Sequence, residues 1–91
     1  EVFIDNITLN QNYPNPFNNK TKLFLSLDSD QKITLTIYNS FGRKIQTLVN
    51  NKLVAGNYSF GWNGSKFSSG IYFARVETNK TIEVIKMILI K

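Results

Sequence analysis

Two stretches decide the fold: Lys22-Leu23-Phe24-Leu25-Ser26-Leu27 and, after the polar turn Asp28-Ser29-Asp30-Gln31, Lys32-Ile33-Thr34-Leu35-Thr36-Ile37-Tyr38. In the first, Leu23, Leu25 and Leu27 share a face; in the second, Ile33, Leu35 and Ile37 do so opposite Thr34 and Thr36. Only an extended chain, whose successive side chains point to opposite sides, gathers apolar residues spaced by two. Threonine and tyrosine on the other side are good strand formers. An all-β chain is therefore expected, and the same period recurs in both directions from this pair.

Downstream, Asn39-Ser40-Phe41-Gly42 reads as a turn whose glycine supplies a positive φ. Arg43 to Val49 is a third run, with Ile45 and Val49 flanking Thr47 on one face, and Asn50-Asn51-Lys52 opens a loop that closes at Ala55-Gly56. Tyr58, Phe60 and Trp62 then alternate with Asn57, Ser59 and Gly61, giving one aromatic and one small polar face. Asn63-Gly64 is the strongest short turn signal, and Ser68-Ser69-Gly70 extends that loop. From Ile71 to Thr78, Tyr72, Ala74 and Val76 oppose Ile71, Phe73 and Arg75, and Asn79-Lys80 is a tight turn.

The last strand, Thr81 to Ile90, places Ile82, Val84, Ile88 and Ile90 on one face but adds Met87 and Leu89 on the other. Two readings stand: a strand buried on both sides, or an exposed apolar edge that another protein recognises, blunted by Lys86 and Lys91. Upstream, a short strand spans Thr8 to Tyr13, and Pro14 and Pro16 hold the chain out of the helical region. No window carries a helical period. About seven strands, with turn signals about every 8–12 residues, describe an immunoglobulin-like antiparallel β-sandwich.

Composition narrows the chemistry. With 91 residues and 42% hydrophobic side chains there is material for one core. The absence of Cys and His removes disulfide scaffolds, zinc fingers, thiol nucleophiles and imidazole bases. Of the six acids only Asp28 and Asp30 are close in sequence, and they sit in a turn that favours Asp for its backbone bonding. The spacing of a calcium loop is missing. The glycines are dispersed rather than grouped in a phosphate loop, so no active site, cofactor or metal is expected. The N-x-Ser/Thr triplets at Asn6, Asn19, Asn57, Asn63 and Asn79 are read as turn residues.

The formal charge of +5 invites a nucleic-acid reading, but the lysines are spread evenly along the sequence, as on a solvated surface, and no nucleic-acid partner is expected. The longest apolar run near the C-terminus, Met87-Ile88-Leu89-Ile90, falls far short of the about 20 residues of a spanning helix. A start at Glu1 rather than Met suggests a processed product or a piece of a longer protein.

Generic strand rules do not account for Leu9-Asn10-Gln11-Asn12-Tyr13-Pro14-Asn15-Pro16-Phe17-Asn18. This segment resembles the opening of the type IX secretion system C-terminal sorting domain, type A, of Bacteroidetes-like bacteria. Further pieces match in order: Thr21 to Leu27, Ile37-Tyr38-Asn39 followed by Gly42, Ala55-Gly56 with Tyr58 and Trp62, Gly70-Ile71-Tyr72, and the basic-apolar end from Lys86 to Lys91. The resemblance covers residues 9–91 and leaves residues 1–8 as linker or upstream strand.

The resemblance implies a non-catalytic C-terminal sorting signal. It would direct an exported cargo, carried as an N-terminal domain of the same chain, across the outer membrane through the type IX translocon. The route is periplasm in transit, then the cell surface or the medium, with a sortase-like peptidase as a further partner. Carried over by position, translocon recognition falls on Gly70, Tyr72, Lys86, Ile88, Ile90 and Lys91. The Pro14-Asn15-Pro16-Phe17 segment is given a structural role, stiffening the approach to the next strand and packing Phe17 on the core. The alternative is a passive immunoglobulin-like spacer or a carbohydrate-binding, adhesive module of a cell-surface protein. The carbohydrate reading gains if Tyr58, Phe60 and Trp62 are exposed and coplanar, and loses if they are buried.

Overall fold

The computed structural model describes residues 7–91. Seven strands follow one another: β1 (Ile7–Tyr13), β2 (Lys20–Leu27), β3 (Gln31–Asn39), β4 (Lys44–Leu53), β5 (Gly56–Asn63), β6 (Gly70–Glu77) and β7 (Ile82–Leu89). They pair antiparallel in two sheets of order β1-β2-β5 and β4-β3-β6-β7. The architecture is the expected immunoglobulin-like sandwich, with β4 lying beside β3 rather than beside β5. Among the described residues no helix is long and apolar enough to cross a membrane. β1 already includes Ile7, which is buried, and Thr8; residues 1–6 of the stretch read as linker or upstream strand lie outside the described residues.

The period-two residues meet between the sheets. Leu23, Leu25 and Leu27 of β2 face Ile33, Leu35 and Ile37 of β3, and Ala74, Val76, Met87 and Leu89 complete the same buried cluster. Each such side chain contributes about 1.5–3 kcal/mol on leaving water. Trp62 sits at the centre of an aromatic group: its ring centroid lies 5.6 Å from Phe17, 5.7 Å from Phe67 and 5.4 Å from Tyr72. Its indole Nε1–H donates across the sandwich to Gln46 Oε1 at 3.0 Å, so the one polar atom of the ring is satisfied.

The structure corrects two local expectations. Asn50-Asn51-Lys52 is strand, not loop: β4 runs on to Leu53, pairing these residues with Thr34, Ile33 and Lys32. An edge strand tolerates such polar residues because one side of it is solvated. Thr47 does not share a face with Val49, because β4 slips register between the pairs Leu35↔Val49 and Thr36↔Thr47, and again beyond Ile37↔Gln46. Each slip inserts one extra residue, Leu48 and then Ile45. Asn63-Gly64 opens the expected turn, closed by Phe67 N–H donating to Gly64 O at 2.9 Å, and the loop carries the chain from β5 in one sheet to β6 in the other. Gly64 is closely packed: a Cβ there would stand 3.2 Å from Leu89 Cδ2 and 3.4 Å from Phe17 Cε2. The hairpin glycine is Gly42, with φ of 81° in a turn where Asn39 Oδ1 accepts from the N–H groups of Phe41 and Arg43.

Six of the eleven cations, dispersed along the sequence, come together in space. Because the strands alternate in direction, the connections 14–19, 40–43 and 64–69 and the residues beyond Leu89 gather at one end of a molecule 49 × 22 × 19 Å. Lys20, Lys22, Arg43, Lys44, Lys66 and Lys91 lie there. All four acids of the described residues, Asp28, Asp30, Glu77 and Glu83, lie towards the opposite end.

Candidate functional site: the β6–β7 face and its edge

β7 is an edge strand, and its alternation sorts its residues cleanly. Ile85, Met87 and Leu89 turn to the core. Ile82, Val84 and Ile90 face outward and are each 53% exposed, with Ile88 half-buried between them and the neighbouring strand. Across the pair, Ile71 opposes Ile88, Phe73 opposes Lys86 and Arg75 opposes Val84. The outer face of β6–β7 is therefore an apolar ridge interrupted by Lys86. The Arg75–Glu77 ion pair, 3.6 Å long and largely solvated, adds little to its stability. Of the two sequence readings of this strand, burial on both sides is the one the structure overturns: among the described residues no layer covers the Ile82–Ile90 face.

The backbone edge of β7 is hydrogen-bonded over its C-terminal half by the end of β1 and the segment that follows it. Phe17 N–H donates to Ile88 O, and Ile90 N–H donates to Phe17 O, both at 2.9 Å, forming a short parallel bridge. The Ile88 N–H donates to Asn15 Oδ1 at 2.9 Å, and Gln11 Nε2 donates to Lys86 O at 2.7 Å. Further up, Glu83 Oε1 accepts from Leu9 N–H at 2.9 Å, tying β1 alongside β7. The strap from Gln11 to Phe17 is itself braced. β1 carries one extra residue between Asn10 and Tyr13, and Asn12 is buried and donates to Thr21 Oγ1 and Pro14 O. Both X-Pro bonds of the strap are cis.

The six residues expected to recognise a translocon thus divide. Lys86, Ile88 and Ile90 lie together on the outer face and edge of β7. Lys91 is exposed; its N–H donates to Ser69 Oγ at 3.0 Å and its ammonium to Ser65 O. Gly70, opposite Leu89, opens β6 with φ of 156°, a region that L side chains rarely adopt. Tyr72 is different: it is 7% exposed, packs on Trp62 and Phe67, and donates its hydroxyl to Ser68 O at 2.7 Å. That is the geometry of a tyrosine corner, which fixes the loop entering this strand of an immunoglobulin-like sandwich. Tyr72 thus anchors the loop from Ser68 to Gly70, with its side chain largely withdrawn from the surface. Tyr72→Phe should cost about 1 kcal/mol in urea denaturation, one neutral hydrogen bond, and leave export unchanged. A loss of export at unchanged stability would put the hydroxyl in the recognition surface instead.

Sequence reasoning did not assign Ile71, Ile82 and Val84 to the site, although their period placed the latter two on the right face. Nor did it assign Gln11, Asn15 and Glu83 to the edge; no local pattern tells which strand a carboxamide or carboxylate reaches. The aromatic face of β5 is the core face. Trp62 is 1% exposed, and the stacked pair Tyr58–Phe60 is half-buried against the cluster, so no coplanar platform of the three exists. Among the described residues no group of three or more His, Cys, Asp or Glu stands together to hold a metal.

Comparison with known proteins agrees with this geometry. A solved structure, dimeric latent PorU from Porphyromonas gingivalis, superposes with a TM-score of 0.78 at 20% identity, over 98% of this chain and 10% of that one. The likeness is one of fold, and the chain spans about a tenth of that protein's length. No curated protein matches the sequence. The family model of the secretion system C-terminal sorting domain matches residues 11–91, from the strap through the last residue of the apolar ridge and Lys91. Strap, tyrosine corner and β6–β7 face all fall within that span, and the chain belongs to the type IX secretion system C-terminal sorting domain family.

Proposed function

We propose that the domain sorts its cargo without catalysis, by presenting the outer face of β6–β7 to the type IX outer-membrane translocon after transit through the periplasm. Membership of the family already makes it a C-terminal sorting signal for type IX secretion, destined for the cell surface or the medium. The observation that carries the finer reading is the apolar ridge of Ile82, Val84 and Ile90 on an edge strand of an otherwise well-buried sandwich. Exposed apolar patches on a small domain mark sites of association. Lys86, Ile88, Ile90 and Lys91 are its contacts, and Gly70 and Tyr72 set the loop beside it.

The test uses surface substitutions, because removing the chain beyond Lys86 would take Met87 and Leu89 out of the core. A fluorescent cargo with its own leader, fused to residues 1–91, is expressed in a bacterium possessing the type IX system. A second fusion carries Ile82→Lys, Val84→Lys and Ile90→Lys. The first should reach the surface or medium, and the second should remain in the periplasm, folded, with delivery reduced at least tenfold. Equal delivery of both would show that this face is not read. Retention of both, in cells that export their own cargos, would overturn the sorting function of the chain in that host.

A further inference from the structure

At the cationic end, on the outer face of the β1-β2-β5 sheet and thus away from the β6–β7 ridge, a trough of about 600 Å³ opens. Its lining includes Tyr13, Pro14, Lys20, Lys22, Gly61 and Asn63. Register explains the shape. Tyr13 pairs with Lys22 and Lys22 with Gly61, so these three form one outward-facing row, with Lys20 and Asn63 opposite each other two residues along. Nothing stands within 4 Å of where a Cβ of Gly61 would be. The missing side chain serves no packing need of the protein; it leaves a floor. Tyr13, 75% exposed, stands as the wall of that floor.

The chemistry around it is one-sided. The remaining outward residues of the three strands are Thr8, Asn10, Phe24, Ser26, Asn57 and Ser59, with no acid among them. Asn63 Oδ1 is engaged by Ser65 N–H at 2.9 Å, which leaves its amide hydrogens as donors. Among the described residues Glu83 is held at the N–H of Leu9, whose partner Leu25 is three residues along β2 from Lys22, so at about 3.3 Å per residue it stands beyond the Debye length of about 8 Å at physiological salt. The field of Lys20 and Lys22 is therefore not neutralised locally.

We propose that this trough binds an acidic oligosaccharide. A pyranose face, with its polarised C–H bonds, lies on the negative face of the Tyr13 ring over Gly61. Its carboxylate, sulfate or phosphate takes charge-assisted hydrogen bonds from Lys20 and Lys22, and its hydroxyls accept from Asn63. The volume is within the range of about 300–1,000 Å³ usual for small-molecule sites and accommodates a short run of sugar rings. A lipid surface fits less well: the trough is concave, whereas the one fully projecting apolar side chain of this end, Phe41, sits on the β3–β4 turn in the other sheet. The site stands apart from the sorting face and does not depend on it.

The probe is tetragalacturonate, titrated calorimetrically into the 91-residue chain at low and physiological salt, with neutral galactotetraose as control. The acidic tetrasaccharide should bind and the neutral one should bind at least tenfold more weakly. Tyr13→Ala, the double change Lys20→Gln with Lys22→Gln, and Gly61→Val should each weaken binding at least tenfold. Lys66→Gln, at the same end but outside the trough, should change it less than threefold. Gly61→Val fills open space on a strand, so its melting temperature should match the parent. Absence of binding at millimolar tetragalacturonate would overturn the proposal. So would binding that ignores Tyr13→Ala and Gly61→Val yet falls equally with Lys66→Gln, since that is diffuse charge attraction. Binding to phosphatidylglycerol vesicles that is lost with Phe41→Ser, without binding of tetragalacturonate, would assign the cationic end to lipid instead.

Discussion

Trp62→Ala should destabilise the domain by about 3–5 kcal/mol, the range for emptying a buried aromatic site. Against a total stability of about 5–15 kcal/mol, that is at least about a fifth of the whole and, at the low end of the range, all of it. The size follows from what the ring touches. Phe17 comes from the β1–β2 connection, Phe67 from the β5–β6 connection and Tyr72 from β6, and all three rings lean on Trp62. No two of these segments are strand partners, so the indole is their common packing partner. The neighbours cannot close the void by a small shift, because Gly64 is already pressed between Trp62, Phe17 and Leu89. Urea denaturation followed by far-ultraviolet circular dichroism is the measurement, since Trp62 is the only tryptophan and its fluorescence is lost with it. Gln46→Leu should cost about 1–3 kcal/mol by stranding the indole N–H. A loss below about 1 kcal/mol for Trp62→Ala would mean that the loops, not the ring, hold that end together.

The core was legible because alternation over six or seven residues admits one extended arrangement, and every Leu and Ile of β2 and β3 named on that basis is buried. Alternation says nothing about register, however. The bulges at Leu48 and Ile45 arise where β4 follows the twist of β3, and their consequence is that Gln46 rather than an apolar residue meets Trp62. Thr47 was misplaced for the same reason. Nor does sequence spacing reveal spatial clustering in a sandwich whose strands alternate in direction. Lys20, Arg43 and Lys66 are more than twenty residues apart, yet alternating strand direction returns each to the same end. An even spread along the chain therefore became six cations at one pole.

The site was legible to a different depth. The apolar period of β7 identified Ile82, Val84, Ile88 and Ile90 as one face but could not tell inside from outside, because Met87 and Leu89 give the opposite face the same character. The deciding facts are the position of β7 at the end of the sheet and, among the described residues, the absence of a layer over that side. The sequence does not show what Tyr72 does in the fold: the Gly70-Ile71-Tyr72 pattern coincides with a positive φ at Gly70 and a hydroxyl anchor to Ser68, both internal to the domain. Most informative is the segment from Leu9 to Phe17, opaque to strand rules. Its amides and carbonyls are spent on Glu83, Lys86, Ile88 and Ile90, four alternate or near-alternate residues of one strand. A motif without a period of its own is what a strap tied to another strand's edge should look like.

Phe17→Ala tests that strap. The side chain is 2% exposed and wedged against Trp62, so its removal should cost about 3–5 kcal/mol. The more specific consequence concerns the β7 edge, because the Phe17 backbone supplies the donor to Ile88 and the acceptor for Ile90. Global destabilisation of this size accelerates the exchange of every amide that needs full unfolding by about a hundredfold to a few thousandfold. Local release of the strap adds to that, at Ile88 and Ile90 alone. Leu25→Ala, in the same core but remote from the strap, provides the reference at a similar stability loss of about 2–5 kcal/mol. Hydrogen exchange by nuclear magnetic resonance should therefore show Ile88 and Ile90 rising with Leu35 in Leu25→Ala. In Phe17→Ala they should rise at least tenfold further than Leu35. If the three amides move together in both variants, the hydrogen bonds of Asn15 and Gln11 hold the strap without the phenyl ring. The buried ring would then serve the core only, and the edge of β7 would be closed by the carboxamides.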